Sequence, residues 1–333
     1  MNNAMQKNAR IFVAGHRGLA GSAIVRKLRS LGYQNLLLRT HQELDLEDFE
    51  AVGSFFAQQR PQYVFLAAAK VGGILANRDF PAEFIARNLR IQSNVVEHSY
   101  RAAVDRLLFL GSSCIYPKLA PQPIIEEQLL AGPLEFTNRS YAVAKIAGIE
   151  MCWAFNRQYG TRYLAAMPTN LYGPGDSYDL ANSHVLPALI RKVHEAKLRG
   201  ERNLTVWGSG KPLREFLYSD DMADACVFLM NLPEAEFQSL TGNPELAPLV
   251  NVGYGSDLSI AELARTVCKV LGFDGELVFD ASKPDGTPRK LMDSGKIFNY
   301  GWRPRIALEE GIRMAYEDFC ANSAGKSATA PVH

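Results

Sequence analysis

The stretch Arg10–Gly32, RIFVAGHRGLAGSAIVRKLRSLG, decides the fold. Apolar residues Ile11–Ala14 lead into a glycine-rich turn, GHRGLAG (Gly15–Gly21), and then into an amphipathic run that ends at Gly32. Glycines in such a turn let the backbone approach a pyrophosphate, and the helix that follows offers free N–H groups and a favourable dipole. A lone three-glycine pattern also suits a tight structural turn. Its place between a first strand and a first helix favours a dinucleotide site.

The alternation continues outward from there. NLLLRT (Asn35–Thr40) reads as a strand, LEDFEAVGSFFAQQR (Leu46–Arg60) as a helix, and YVFLAAA (Tyr63–Ala69) as a strand. A helical stretch from Pro81 to about Ala102 precedes the strand RLLFLGSS (Arg106–Ser113), and another helix covers Ser140–Tyr159 before RYLAAMPTNLYGP (Arg162–Pro174). Near-continuous apolar strands separated by helices predict a parallel sheet covered on both faces. The fold class is α/β: a Rossmann-type doubly wound parallel sheet with a smaller C-terminal substrate-binding lobe. The expected boundaries are a dinucleotide-binding domain over 1–176, with returning segments near 215–232 and 248–254, a lobe over 177–322, and a loose polar tail over 323–333. Within the lobe, SIAELARTVCKVLG (Ser259–Gly272) reads as a helix opened by a serine cap, and ELVFD (Glu276–Asp280) as a strand before a Pro/Gly-rich loop.

Composition limits the function. Hydrophobic residues make up 47% and charged residues 21%, ordinary values for a globular protein. A formal net charge of +1 and the absence of long like-charge blocks argue against nucleic acid or a membrane surface as partner. No apolar run approaches the roughly 18 residues of a membrane span, and the polar start MNNAMQKNAR is unlike a secretory signal. The five cysteines (114, 152, 226, 268 and 320) are scattered without metal-ligand spacing. Free thiols of that kind suit a reducing compartment, so the expected location is the cytoplasm and no metal is expected.

The candidate chemistry gathers at strand ends, where ligands of open α/β sheets sit. The second strand closes on Arg39-Thr40 where an NAD site usually carries Asp or Glu, and Arg17 lies in the glycine turn. Two guanidinium groups there suit the 2′-phosphate of NADP(H), because Arg bonds phosphate with charge assistance; solvated surface arginines are the plainer reading. Tyr141 and Lys145 in SYAVAKIAG share one helix face. A phenol of pKa near 10 is a poor catalyst at neutrality unless a neighbouring ammonium favours the phenolate. LFLGSSCIYPK (Leu108–Lys118) places Ser112 and Cys114 two residues apart, so that on an extended chain both would face one pocket. Cys114 reads equally as a small buried apolar residue, and His184 as a loop or capping histidine. A thiol and an imidazole could otherwise exchange protons near neutrality.

These motifs together resemble the extended short-chain dehydrogenase/reductase family over nearly the whole chain. They are the glycines of Gly15–Gly21, Ser112, Tyr141-x-x-x-Lys145 and REFLYSDD (Arg214–Asp221). AAAKVGGI, LGSSCIYPK, PTNLYGPGD, NSHVLPALIRK, WGSGKPLREF and FDASKPDGTPRK are similar, in that order, to the family's GDP-L-fucose synthases. Those enzymes epimerise GDP-4-keto-6-deoxy-D-mannose at C3 and C5 and reduce its C4 ketone.

The resemblance implies catalytic roles for Ser112, Tyr141 and Lys145, with Cys114 as base and His184 as the acid on the opposite face. It implies cofactor contacts from Gly15, His16, Arg17, Gly18, Leu19, Ala20 and Gly21 in the turn. Arg39, Thr40, His41, Asp45 and Leu46 would serve the adenosine end, His41 standing where some relatives have Arg. Leu110, Gly111, Ser112, Ser113, Lys145, Pro168, Thr169, Asn170, Leu171 and His184 would lie along the nicotinamide. Lys192, Trp207, Arg214 and Asp285 would line the nucleotide-sugar site, with Lys283 and Arg289 as further cations nearby. It also implies a GDP-sugar substrate and a homodimer joined through the helices at Ile85–Ala102 and Ser140–Tyr159.

Other readings stay open. A sugar-nucleotide 4-epimerase shares the Tyr/Lys pair but needs no second acid–base pair. A 4,6-dehydratase should carry carboxylates beside the serine, where this chain has Ser113 and Cys114. A related NADP-dependent epimerase/reductase would act on another keto sugar. A non-catalytic NADP-sensing module would not need both Tyr141 and Lys145.

Overall fold

In the computed structural model, which describes residues 5–180, 183–283 and 285–327, the first apolar run is a strand, β1 (Ile11–Ala14), buried throughout. Its side chains alternate between two cores. Ile11 and Val13 join a cluster with Ile24 and Leu28, whereas Phe12 and Ala14 join one with Phe55 and Phe56. A strand apolar on both sides needs a helical layer on each.

The chain then runs through α1 (Leu19–Ser30), β2 (Leu36–Leu37), α2 (Phe49–Gln59), β3 (Tyr63–Leu66), α3 (Ile74–Asp79), α4 (Pro81–Arg101), β4 (Arg106–Leu110), α5 (Arg139–Tyr159) and β5 (Tyr163–Pro168). The second half adds β6 (Asn170–Tyr172), α6 (Val185–Arg199), β7 (Asn203–Trp207), β8 (Leu213–Tyr218), α7 (Ser219–Met230), α8 (Glu234–Thr241) and β9 (Leu249–Val252). It closes with β10 (Asp257–Ser259), α9 (Ile260–Leu271), β11 (Glu276–Asp280), β12 (Arg289–Lys290), α10 (Gly295–Asn299) and α11 (Leu308–Ser327).

The main sheet is six-stranded and parallel, in the order β2-β1-β3-β4-β5-β9. The order reverses between β1 and β3, so the crevice for a ligand opens at the carboxyl ends of β1, β3 and β4. A second sheet has the order β10-β8-β12, with β6 also pairing with β8, and β7 pairs with β11. α6, α9 and α11 cover this lobe through a third core that includes Leu189, Leu263 and Ile312.

The two halves are stitched together more closely than a boundary at 176 implies. β6 lies before that point yet pairs with β8 of the lobe. α7 packs against α1 and β9 extends the main sheet. Within 215–232, however, Leu213–Tyr218 belongs to the second sheet. The strand expected over Asn35–Thr40 shrinks to Leu36–Leu37, because the chain turns away at Thr40, whose N–H and hydroxyl both donate to Glu43 (2.8 and 2.9 Å). The last helix runs to Ser327, past the expected start of the tail at 323, and residues 328–333 lie outside the described residues.

Local signals explain several element ends. Pro81 opens α4 at a position where its missing N–H costs nothing. α5 stops at Gly160, whose φ of 66° is left-handed. Ser259 caps α9 in a reciprocal box with Glu262, each side chain satisfying the other residue's backbone N–H. Ser259→Ala should therefore cost about 1 kcal/mol of stability. Denaturant titration at constant m-value checks this, with α9 the helix that loosens first in hydrogen exchange.

Candidate active site

β4 delivers its carboxyl end into the crevice at Gly111, and the chain there tightens into a 3-10 turn, Ser113–Ile115, closed by Ile115 N–H donating to Ser112 C=O (3.2 Å). Ser112 and Cys114 do meet, though by this turn and not by the extended alternation that the sequence predicts. The Ser112 hydroxyl lies near enough to favour the ionised forms of both the Cys114 thiol and the Tyr141 phenol. A Cβ on Gly111 would lie 2.2 Å from the Met167 methyl, so that the Met167 side chain would have to move to admit one. β4 and β5 are therefore packed tightly just below the reactive turn.

α5 brings the other two groups. Tyr141 sits in its first turn and meets Phe84 of α4 edge-on at 6.2 Å. One turn later the buried Lys145 donates to Leu110 C=O at 2.7 Å, with Nζ 4.7 Å from the Phe109 ring centroid and 5.8 Å from that of Tyr141. Gln92 of α4 donates to Ala144 C=O at 2.7 Å and holds α5 in register beside it.

Burial dominates the electrostatics. It pulls Lys145 down to about 8, with Cys114 opposing. It pushes the Tyr141 phenol well above its ordinary value, with Cys114 adding to the rise and the Ser112 hydrogen bond opposing it. The sequence predicts that Lys145 eases the phenol toward ionisation. In this structure burial instead pushes the phenol up, while the Lys145 ammonium donates to the Leu110 carbonyl. A neutral phenol is a proton donor.

His184 comes from a different element. It is the N-cap residue of α6, its side chain making no capping bond, and among the described residues nothing hydrogen-bonds to its ring. It keeps some exposure, and burial pulls its pKa below the usual value. Ser112, Cys114, Tyr141 and Lys145 thus come from the β4–α5 corner, and His184 from the start of α6.

The glycine turn is built as expected. Gly15 has φ of 83°, and a Cβ on Gly21 would lie 2.1 Å from Gly15 C=O. α1 begins after Gly18 with no side-chain cap, so its first N–H groups are available to a phosphate. The His16 Nδ1 is buried without a partner. The turn and the end of β2 face each other, since Arg17 and Arg39 both act on the Glu43 carboxylate, which the N–H and hydroxyl of Thr40 hold low. Arg39 also lies over the Phe55 ring at 5.6 Å. Two guanidiniums beside an open helix N-terminus fit a dinucleotide carrying an extra phosphate. The exposed His41 instead lies 3.6 Å from Asp45, and Leu46 offers its carbonyl to Asn94. On the far side of the crevice, Pro168 ends β5, Leu171 lies in β6, and Thr169 and Asn170 both donate to Glu215 C=O (3.1 and 2.8 Å).

The nucleotide-sugar candidates also gather. Lys192 and Lys283 lie 5.0 and 5.5 Å from the half-exposed Trp207 ring, one ammonium from α6 and the other from the loop after β11. Arg214 is enclosed on β8, where burial lowers its pKa and Asp285 opposes the change. Asp285 is committed to the neighbouring turn, accepting from the Ser209 N–H and hydroxyl at 2.7 Å each. Arg289 is committed elsewhere, to Asp257 at 2.6 Å, and is not free to hold a phosphate.

Two residues inside the quoted motifs, given no role there, also belong to this region. Glu215 is fully buried, and its carboxylate accepts from the N–H groups of Gly255 and Met292 (2.7 and 3.2 Å). Lys290 lies on β12, in register with Arg214 of β8.

With this geometry in place, likeness to known proteins is specific. The profile of the NAD dependent epimerase/dehydratase family matches residues 11–242. The chain belongs to that family. Within the epimerase/dehydratase family it groups with the GDP-L-fucose synthases. GDP-L-fucose synthase 1 of Arabidopsis thaliana is 54% identical over 97% of this chain and 96% of its own. The GDP-L-fucose synthase of Escherichia coli (strain K12) is 52% identical over 94% and 97%. The structure of a GDP-L-fucose synthetase from Naegleria fowleri bound to NADP superposes with a TM-score of 0.86 at 29% identity, covering 96% of this chain and 95% of that one.

If Arg39 holds the extra phosphate, Arg39→Ala in this epimerase/dehydratase should weaken NADPH at least about tenfold while leaving NADH nearly unchanged, a charge-assisted phosphate contact being worth roughly 1.5–3 kcal/mol. Fluorescence titration with the two nucleotides measures the ratio.

Proposed function

We propose that this protein converts GDP-4-keto-6-deoxy-D-mannose to GDP-L-fucose, by epimerising C3 and C5 and then reducing the C4 ketone. The observation that carries this reading is the packing of the Ser113–Ile115 turn against α5, fixed by the bond from Lys145 to Leu110 C=O, which brings Ser112, Cys114 and Tyr141 around one small volume. Membership among the GDP-L-fucose synthases supports the same reaction. NADPH, when bound, supplies the hydride for C4.

The rest is the work of the chain's own groups. The C–H protons at C3 and C5 are acidified by the neighbouring ketone. The Cys114 thiolate takes such a proton, forming S–H, while the C–H electron pair moves into the ketone as an enolate. Ser112 and Tyr141 hydrogen-bond the enolate oxygen. His184, reaching the opposite face, returns a proton to carbon and inverts it. After both inversions Tyr141 gives its proton to the C4 oxygen, and Lys145 stands behind it as the positive charge. Gly15–Gly21 with Arg17 and Arg39 hold the dinucleotide, and Lys145 reaches its ribose. Lys192, Trp207 and Arg214 take the guanine and diphosphate end, with Asp285 shaping that pocket. A dehydratase would need a carboxylate in the turn, and Ser113 and Cys114 occupy it.

Two further features belong to the reading. Five free cysteines are consistent with a reducing compartment, the cytoplasm. Among the described residues no helix is long and apolar enough to cross a membrane. A homodimer would use the outer faces of α4 and α5, where Tyr100 and Tyr159 stack at 4.2 Å and remain partly exposed.

The test follows deuterium uptake at C3 and C5 in D2O together with NADPH absorbance. Cys114→Ala should abolish uptake and still bind NADPH. Tyr141→Phe should slow reduction by roughly 100-fold or more, the usual reach of general acid catalysis. Undiminished uptake in the first variant, or undiminished turnover in the second, rules out that residue's role.

A further inference from the structure

The turn that carries Cys114 is fastened at both ends. At the near end Gly111 N–H donates to Ala166 C=O at 2.9 Å, so Ser112 follows directly on the ladder between β4 and β5. At the far end, two residues beyond the thiol, the chain is extended at Tyr116, whose hydroxyl lies 2.6 Å from Asn251 Oδ1. Tyr116 is 3% exposed, and Asn251, on β9, is fully buried.

The surrounding hydrogen bonds settle which way the Asn251 amide points. Its nitrogen donates to the carbonyls of Ile124 and Asp293, at 2.9 and 3.1 Å, and carbonyls only accept. The oxygen is thereby turned to Tyr116, and the phenol is the donor. The backbone N–H of Asn251 is taken as well, by the buried Glu126 carboxylate at 2.9 Å. Asp293 N–H in turn donates to Ile124 C=O at 2.8 Å. One side chain of the main sheet therefore grips residues 116, 124 and 293 together.

Ile115 and Tyr116 also lie in the apolar cluster with Phe109 and Ile149. Apolar burial is non-directional and tolerates sliding, whereas a hydrogen bond fixes both distance and angle. We propose that the bond from the Tyr116 phenol to Asn251 sets the position of Cys114 over the sugar, so that Tyr116 and Asn251 are positioning residues for proton abstraction at carbon. This rests on the function proposed above, in which Cys114 is the base. Because Ser112 is held separately through Gly111, losing the far anchor displaces the thiol more than the serine.

Tyr116→Phe removes only the hydroxyl, and Asn251→Ala, which removes the acceptor, serves as a second variant should the first not fold. Deuterium uptake at C3 and C5 is followed together with iodoacetamide alkylation of each cysteine, read by mass spectrometry. Uptake should fall roughly tenfold to a hundredfold, the cost of misplacing a reacting group by about an ångström, with KM for the sugar nucleotide nearly unchanged. Reduction by NADPH of sugar already inverted by the unaltered protein should fall much less. Cys114 should alkylate faster, while the fully buried Cys152 and Cys226 keep their rates. Adding Tyr116→Phe to Asn251→Ala should cause little further loss of uptake, since one bond links the two. Undiminished uptake, or all three cysteines quickening together, would make the bond a contribution to stability alone and overturn the proposal. Absence of uptake in the unaltered protein would count against the proposed function instead, and the alkylation pattern would still decide whether Tyr116 anchors the turn.

Discussion

The bond from the Lys145 ammonium to the Leu110 carbonyl is the constraint on which the site depends. It fastens a buried charge on α5 to the last residue of β4, and so fixes the distance between the Tyr141 phenol and the turn of Ser112 and Cys114. A buried lysine held by a carbonyl acceptor cannot wander without losing that bond. The shape of the pocket is inherited from that bond, from the Gln92 contact that keeps α5 level, and from the tight packing of Gly111 on Met167.

Desolvation then assigns the chemistry. In water, thiol, phenol and ammonium would sit at their ordinary values and compete loosely. Here burial pushes the two acids up and the amine down, so every charge in the pocket needs a specific neighbour. Such a site holds its protons where they are until a substrate brings a group that can accept or release one. The arrangement favours Tyr141 as donor, and it makes the state of Cys114 depend on nearby cations.

What could be read in advance was local. The turn at Gly15–Gly21, the alternation of strand and helix, the Tyr141–Lys145 spacing and the Ser259 cap all lie within a few residues, and periodicity or a special φ reveals them. Ser112 and Cys114 lie around a 3-10 turn where alternation predicts an extended strand, since the two conformations share the same apolar lead-in. The shift of Tyr141 depends on enclosure, which no pentapeptide records. Glu215 and Lys290 stand in the quoted motifs, yet their setting is not local. It comes from β8 lying beside β6, β10 and β12, pairings across 42 to 76 residues of chain that leave no periodic trace.

The interleaving of the two sheets also limits how the molecule can move. β6, α7, β9 and β12 carry the chain back and forth between the main sheet and the lobe, so no single linker separates them. A clamshell closing about one hinge would have to bend several of these chain crossings at once. Entry and exit of a bulky sugar nucleotide must then rely on side chains and surface loops near Trp207 and Lys283, while the catalytic floor stays rigid through the whole cycle.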